Sequence, residues 1–190
     1  MTWRCCSSAA SAPRRTSTNS SAPSPACRCF AEIVGDGSCR PALESLAAEL
    51  GVADRVCFHG FVPDADLVRI YACCQIFCMP GTAELQSIAT MEAMAAGLPV
   101  VAADAMALPH LVHPGVNGHL YPPGDVDALA IRLDELACDA GARASMGAAG
   151  RALVARHDLA GTLESFVSVY RHACGEARPV ETERCQPSVA

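Results

Sequence analysis

Aromatic residues make up only 5% of this sequence, so whatever core it builds must come from Ala, Val, Leu, Ile and Met. Its apolar runs fall far short of the roughly 20 residues that cross a bilayer, so no membrane-spanning helix is expected. There is no run of Lys or Arg, and the formal net charge is −6, which argues against an electrostatic surface for nucleic acid. The N-terminus carries charge but no continuous apolar stretch, so no secretory signal is expected. Among 12 cysteines there is no C-x-x-C pair, and the usual spacing of a zinc site is missing. Cys57, Cys73, Cys74 and Cys78 fall in apolar, strand-like segments, where free Cys behaves as a small hydrophobe. They are expected to be reduced, mostly buried and free of metal, as in a reducing cytosol.

What is present is a chain of 190 residues, 51% of them hydrophobic, enough for one ordinary domain and too short for two large ones. Residues 1–29 are rich in Ser, Ala, Pro and Arg without an apolar period, and 173–190 return to that composition; both are expected to be disordered. Between them, strand and helix signals alternate. "FAEIV" reads as a buried strand that ends at the turn "GDG". "RPALESLAAELG" follows as a helix with Pro41 in its first turn and Gly51 as its stop. "RVCFHGFV" is a strand, "DADLVRIYACC" a helix from about Asp64, and "QIFCMP" a strand. "TAELQSIATMEAMAAGLPVV" supplies a helix running into another strand. "NGHLYPPGD" gives a short strand and turn, then come helices in "DVDALAIRLDELACD", "ARASMGAAGRALVARH" and "AGTLESFVSVYRHA". Regular β/α alternation predicts a doubly wound parallel sheet covered on both faces, with ligands beyond the carboxyl ends of its strands.

One carboxylate breaks the pattern. Glu92 shares a helical spacing with the apolar Ile88, Met91 and Ala95, where an unpaired charge is costly. Glu84 stands before it with seven residues between, in a loop, with Ser87 placed as a helix N-cap. Two readings stay open from spacing alone. Glu92 pairs with an Arg in the core while Glu84 is solvated, or both carboxylates take ligand hydroxyls on either side of an anion held at the helix N-terminus. His110 and His113 are read as surface or capping residues, Asn117-Gly118 as a turn, and Asp36 as shaping its loop.

The combination of "GDG", "HGFV" and the Glu-(seven residues)-Glu spacing in "ELQSIATMEAMA" resembles the donor-binding half of a family 4, GT-B-type retaining glycosyltransferase, over roughly residues 31–172. The resemblance implies a Rossmann-like domain at 30–172 and transfer of a hexose from a GDP- or UDP-linked sugar, with retention and without metal or other cofactor. It implies that Glu84 contacts the donor sugar as the catalytic carboxylate and that Glu92 grips the ribose. It places Leu85, Gln86, Ser87 and Ile88 against sugar and diphosphate. His59, Gly60, Phe61 and Val62 fall near the base, with Gly35 also on the donor. The sequence is similar to actinobacterial mannosyl- and glucosyltransferases. That implies a lipid or glycan acceptor and a cytoplasmic protein in peripheral contact with the inner face of the membrane.

The sequence also departs from that family. An acceptor-binding domain is expected before this region, together with an Arg and a Lys that neutralise the diphosphate just upstream of the "GDG" strand. Residues 1–29 stand there instead. Back-translated and read one base earlier, Arg15–Phe30 can encode an amphipathic helix like the family's, so residues 1–29 are expected to be an out-of-frame segment. The alternative function is a catalytically inactive nucleotide-sugar-binding fragment or partner subunit. A GT-B epimerase fits the fold but fits the Glu84–Glu92 spacing less well.

Overall fold

The computed structural model describes residues 29–175 and the backbone of a strand at 2–6. The continuous apolar runs become the buried centre of one sheet. "IFCM" forms β4 (Ile76–Met79) and "VVAA" forms β5 (Val100–Ala103), every residue of both buried. Around them lie β1 (Thr2–Cys6), β2 (Phe30–Val34), β3 (Val56–Gly60) and β6 (Gly118–Tyr121) in the order β3-β2-β1-β4-β5-β6. This is the strand order of doubly wound dinucleotide-binding sheets. β2 and β3 are parallel, as are β4, β5 and β6.

The expected doubly wound parallel sheet is present, with one strand of opposite direction within it. β1 runs antiparallel to both its neighbours, pairing Thr2–Cys6 against Val34–Phe30 on one side and Arg4 and Cys5 against Phe77 and Ile76 on the other. The remaining five strands therefore share one direction. A strand must stand in that gap because the inner rows of backbone N–H and C=O on β2 and β4 would otherwise be buried without partners. The disorder expected for residues 1–29 accordingly fails at Thr2–Cys6 and at Cys29, which packs against the core. Residues 1, 7–28 and 176–190, and with them the out-of-frame expectation, lie outside the described residues.

The helices α1 (Arg40–Glu49), α2 (Asp64–Cys73), α3 (Ile88–Ala95), α5 (Val126–Cys138) and α6 (Ala140–Val154) fall where the periodicity puts them. Pro41 sits in the first turn of α1 and Gly51, at φ 65°, follows its last turn. The four-residue α4 (Leu108–Leu111) was not foreseen; Pro109 lies in its first turn and buried Leu108 anchors it. Two glycines are required by close approach. A Cβ on Gly118 would meet the Val100 carbonyl oxygen at 1.9 Å, and one on Gly147 would meet the Gly97 oxygen at 2.0 Å, where α6 crosses the end of α3. Asn117 proves to be more than a turn residue: it is fully buried, donates to the Leu111 carbonyl and accepts from the His113 amide.

The compact unit closes at Val154, earlier than the expected 172. A second unit, Ala155–Ala190, contains α7 (Leu159–Ala173), capped by Asp158 accepting from the Gly161 amide, so Ala173 is helical rather than part of a disordered tail. No residue of α7 is buried. Among the described cysteines, Cys74 and Cys78 are buried as expected, whereas Cys57 and Cys73 are exposed. The reason for Cys57 is position: β3 is the edge strand, half-covered, and alternate residues face outward. Among the described residues no helix is long and apolar enough to cross a membrane.

Candidate functional site

The carboxyl ends of the five co-directional strands form one edge, and most residues singled out in the sequence arrive there. Gly35 follows β2, Gly60 ends β3, and the Gly35 amide donates to the Gly60 carbonyl at 2.8 Å, tying the two strand ends together. Both glycines have positive φ, 115° and 68°, a conformation that favours glycine. Asp36 shapes the turn as expected, accepting from the Gly37 amide at 2.8 Å. Arg40, which sequence reasoning passed over, reaches this edge from α1. It donates to Glu44 and to the Phe58 carbonyl, and its Nη1 stands where a Gly60 side chain would be. Phe61 is 85% exposed beyond β3 and Val62 is half-buried.

After β4 the chain makes the loop that carries Glu84. Its carbonyl accepts from the Ala107 amide at 3.1 Å, joining this loop to the one after β5. Its carboxylate folds back over Gly81, where an added Cβ would meet Oε1 at 3.2 Å. Leu85 and Ile88 turn their side chains to solvent, 84% and 61% exposed, and Gln86 is exposed as well. What these residues present to a ligand is backbone.

Ser87 stands at the N-cap position, but not as a cap. Its side chain accepts from no helix amide; Oγ lies 2.8 Å from Thr90 Oγ1 instead. Its backbone is left-handed, φ 51° and ψ 63°, and Met106 in the loop after β5 is left-handed too at φ 52°. Such conformations cost about 1–3 kcal/mol each in non-glycine residues and gather at ligand sites. The Thr90 amide donates to the Ser87 carbonyl at 3.0 Å, and with no side chain capping the helix the Ile88 and Ala89 amides before it remain the groups an anion could meet.

Glu92 belongs to neither the core nor an arginine. The buried positions of α3 are Thr90, Ala93 and Met94, so the face assigned from Ile88, Met91 and Ala95 is corrected: Ile88, Glu92 and Ala95 are exposed. An Ala- and Met-rich helix offers several apolar stripes, and burial under α6 selects among them. The carboxylate is held by Tyr71 of α2. Its hydroxyl lies 2.9 Å from Glu92 Oε2 and 3.1 Å from the Ala89 carbonyl, while the ring is buried. Together they border a cleft of about 460 Å³ between α2 and α3, lined also by Asp64, Leu67, Val68 and Ala95. Tyr71 was missed in the sequence, although one tyrosine on the apolar side of a helix in an aromatic-poor chain was a usable signal.

The other histidines stay apart. The imidazole of His59 pairs with Glu32 across β2 and β3, so the side chain is engaged on the sheet. His110 and His113 are exposed and tied through their backbones, the His110 amide donating to the Ala107 carbonyl and the His113 amide to Asn117. Burial pushes the Cys78 thiol up to about 12, so this core cysteine is inert.

Residues 24–139 match the sequence family described as "Glycosyl transferases group 1". The D-inositol 3-phosphate glycosyltransferase of Mycobacterium marinum is 36% identical over 145 residues, 75% of this chain and 31% of that protein. The GDP-mannose-dependent alpha-(1-6)-phosphatidylinositol monomannoside mannosyltransferase of Mycolicibacterium smegmatis is 35% identical over 126 residues, 63% of this chain and 33% of that protein. Among solved structures, Anabaena HepE in complex with UDP-glucose matches with a TM-score of 0.62 at 31% identity, over 70% of this chain and 40% of its own. The chain thus spans about a third of the length of the curated relatives it matches. The family segment contains every residue from Gly35 to Glu92 and covers more than half of the sequence, on a sheet whose order is that of one GT-B half. The chain belongs to the group 1 glycosyl transferases.

Proposed function

We propose that this chain binds a nucleotide sugar at the carboxyl edge of its sheet, as the donor half of a retaining glycosyltransferase that moves a hexose from a GDP- or UDP-linked donor to an acceptor. One observation carries the reading: along the chain Glu84 precedes and Glu92 follows a helix start that no side chain caps, and Glu92 borders a cleft. An anion between two hydroxyl-binding groups is the chemistry of a sugar diphosphate linked to a ribose. The amide groups at the start of α3 meet the diphosphate. Glu84 accepts from hydroxyls of the hexose. Glu92, with Oε2 already on Tyr71, takes ribose hydroxyls with its other oxygen. Each charged hydrogen bond of this kind contributes about 1.5–3 kcal/mol.

Catalysis on this reading is electrostatic and needs no metal. Charge developing on the departing diphosphate is met by the helix start, and charge on the oxocarbenium-like sugar by the carboxylate beside it. Nucleotide-sugar use is supported by two relatives, a GDP-mannose-dependent mannosyltransferase and HepE in complex with UDP-glucose. The mannosyltransferase named for phosphatidylinositol monomannoside supports a lipid or glycan acceptor; on this reading the chain meets it at the inner face of the membrane. Because the chain spans only about a third of such relatives, a second reading stands beside this one: a nucleotide-sugar-binding chain that has no turnover alone. Calorimetry against a panel of GDP- and UDP-linked sugars, with donor hydrolysis followed on the same samples, tests both. Binding with hydrolysis supports the first reading and binding alone the second. No binding to any member sinks both.

A further inference from the structure

Three side chains on β2 and β3 have a chemistry that the donor site does not use. Cys57 and His59 alternate with Phe58, and in a strand residues two apart share a face. Glu32 of β2 is the register partner of Cys57 in the parallel pair, so all three project from one side of the sheet's outer edge. Their ligand atoms, a carboxylate oxygen, a thiol sulfur and an imidazole nitrogen, lie within 4.8 Å of one another. Glu32 is already paired with the His59 imidazole, and both side chains remain open to solvent, 28% and 30% exposed.

We propose that Glu32, Cys57 and His59 form a zinc site on the outer strands of the sheet, with water as the fourth ligand. The donor set selects the metal: magnesium and calcium take oxygen ligands, whereas zinc is bound by this mixture of sulfur, nitrogen and carboxylate. Tetrahedral zinc holds its ligand atoms roughly 3.3–3.8 Å apart. Ligand atoms within 4.8 Å of one another need to close by only about 1 Å to reach that spacing, a change of the size side-chain rotation supplies. In the metal-free state the carboxylate orients the imidazole, which keeps the triad together for the ion. A bound ion would bolt the edge strand β3 to β2 just before Gly60, and so hold the loop through Phe61 and Val62 in place. Spacing rules based on C-x-x-C overlook such a site because its ligands come from two strands. Cys57-x-His59 is the visible half.

The test uses the full chain, reduced, stripped with chelator and titrated with Co²⁺, then Zn²⁺. One Co²⁺ per chain, with thiolate-to-cobalt charge-transfer absorbance that Zn²⁺ displaces, is the expected result. Cys57→Ser should abolish that absorbance, and His59→Ala and Glu32→Gln should each weaken the metal more than about tenfold. Cys138→Ser, an exposed cysteine outside the triad, should change nothing. Circular dichroism of each metal-free variant confirms that it is folded. A wild-type titration without the band, or a band that survives in folded Cys57→Ser, overturns the proposal.

Discussion

Glu92 is the residue on which the nucleotide reading turns. Its carboxylate is exposed and tied to Tyr71, whose hydroxyl can donate equally to an amide oxygen. Glu92→Gln should therefore leave ligand-free melting unchanged while weakening nucleotide binding by about 1.5–3 kcal/mol, from the loss of charge-assisted hydrogen bonds. Glu84→Gln should weaken a nucleotide sugar and spare the bare nucleotide. Melting of Glu92→Gln that falls sharply, with affinity intact, would return the residue to a structural role. The spacing of the two carboxylates was legible in the sequence because it is local. Tyr71 was not, since nothing in the sequence says which residue of α2 faces α3. A second residue sets a pH limit. Burial first, then Arg132, lowers the His119 pKa from 6.5, against the opposing pull of Glu135. The unfolded chain then binds the proton more readily than the folded one. Stability from this group is complete above about 6.5 and is lost as pH falls through the lowered folded value. Denaturation midpoints of wild type and His119→Gln should diverge between neutral and mildly acid pH. A constant gap would remove His119 from the account.

At the scale of elements, the contact of α3 with α6 fixes which side of α3 is buried, and Gly147 is what lets them approach. Alanine would ordinarily gain about 1 kcal/mol inside a helix. Here its Cβ would stand 2.0 Å from the Gly97 oxygen, which is backbone and cannot swing aside. Gly147→Ala should cost about 1–3 kcal/mol by overpacking. Gly37→Ala, with open space at its Cβ, should be near neutral; urea denaturation of the pair checks both. β4 and β5 were readable as strands because sheet-centre strands are apolar throughout. β1 was not, because five residues of strand-forming sequence vanish into the Ser-, Pro- and Arg-rich composition around them. α4 was hidden because its apolar signal is carried chiefly by Leu108. The face of α3 was misread because several of its stripes are apolar, and only the packing partner chooses among them.

At the scale of the molecule, the sheet consists of two parallel blocks, β3-β2 and β4-β5-β6, with one strand of opposite direction as their seam. Each block can assemble from neighbours in sequence; the seam cannot. Its partners lie 24–32 residues away on one side and more than 70 on the other. During synthesis Thr2–Cys6 can zip onto β2 soon after it emerges, yet their far edge must wait for β4. For that interval a growing chain carries a bare strand edge, the kind of template on which other chains pair. Long-range closure of this kind also slows folding. β1 is thus completed late, and until Ile76 and Phe77 arrive its far edge stands open to mispairing.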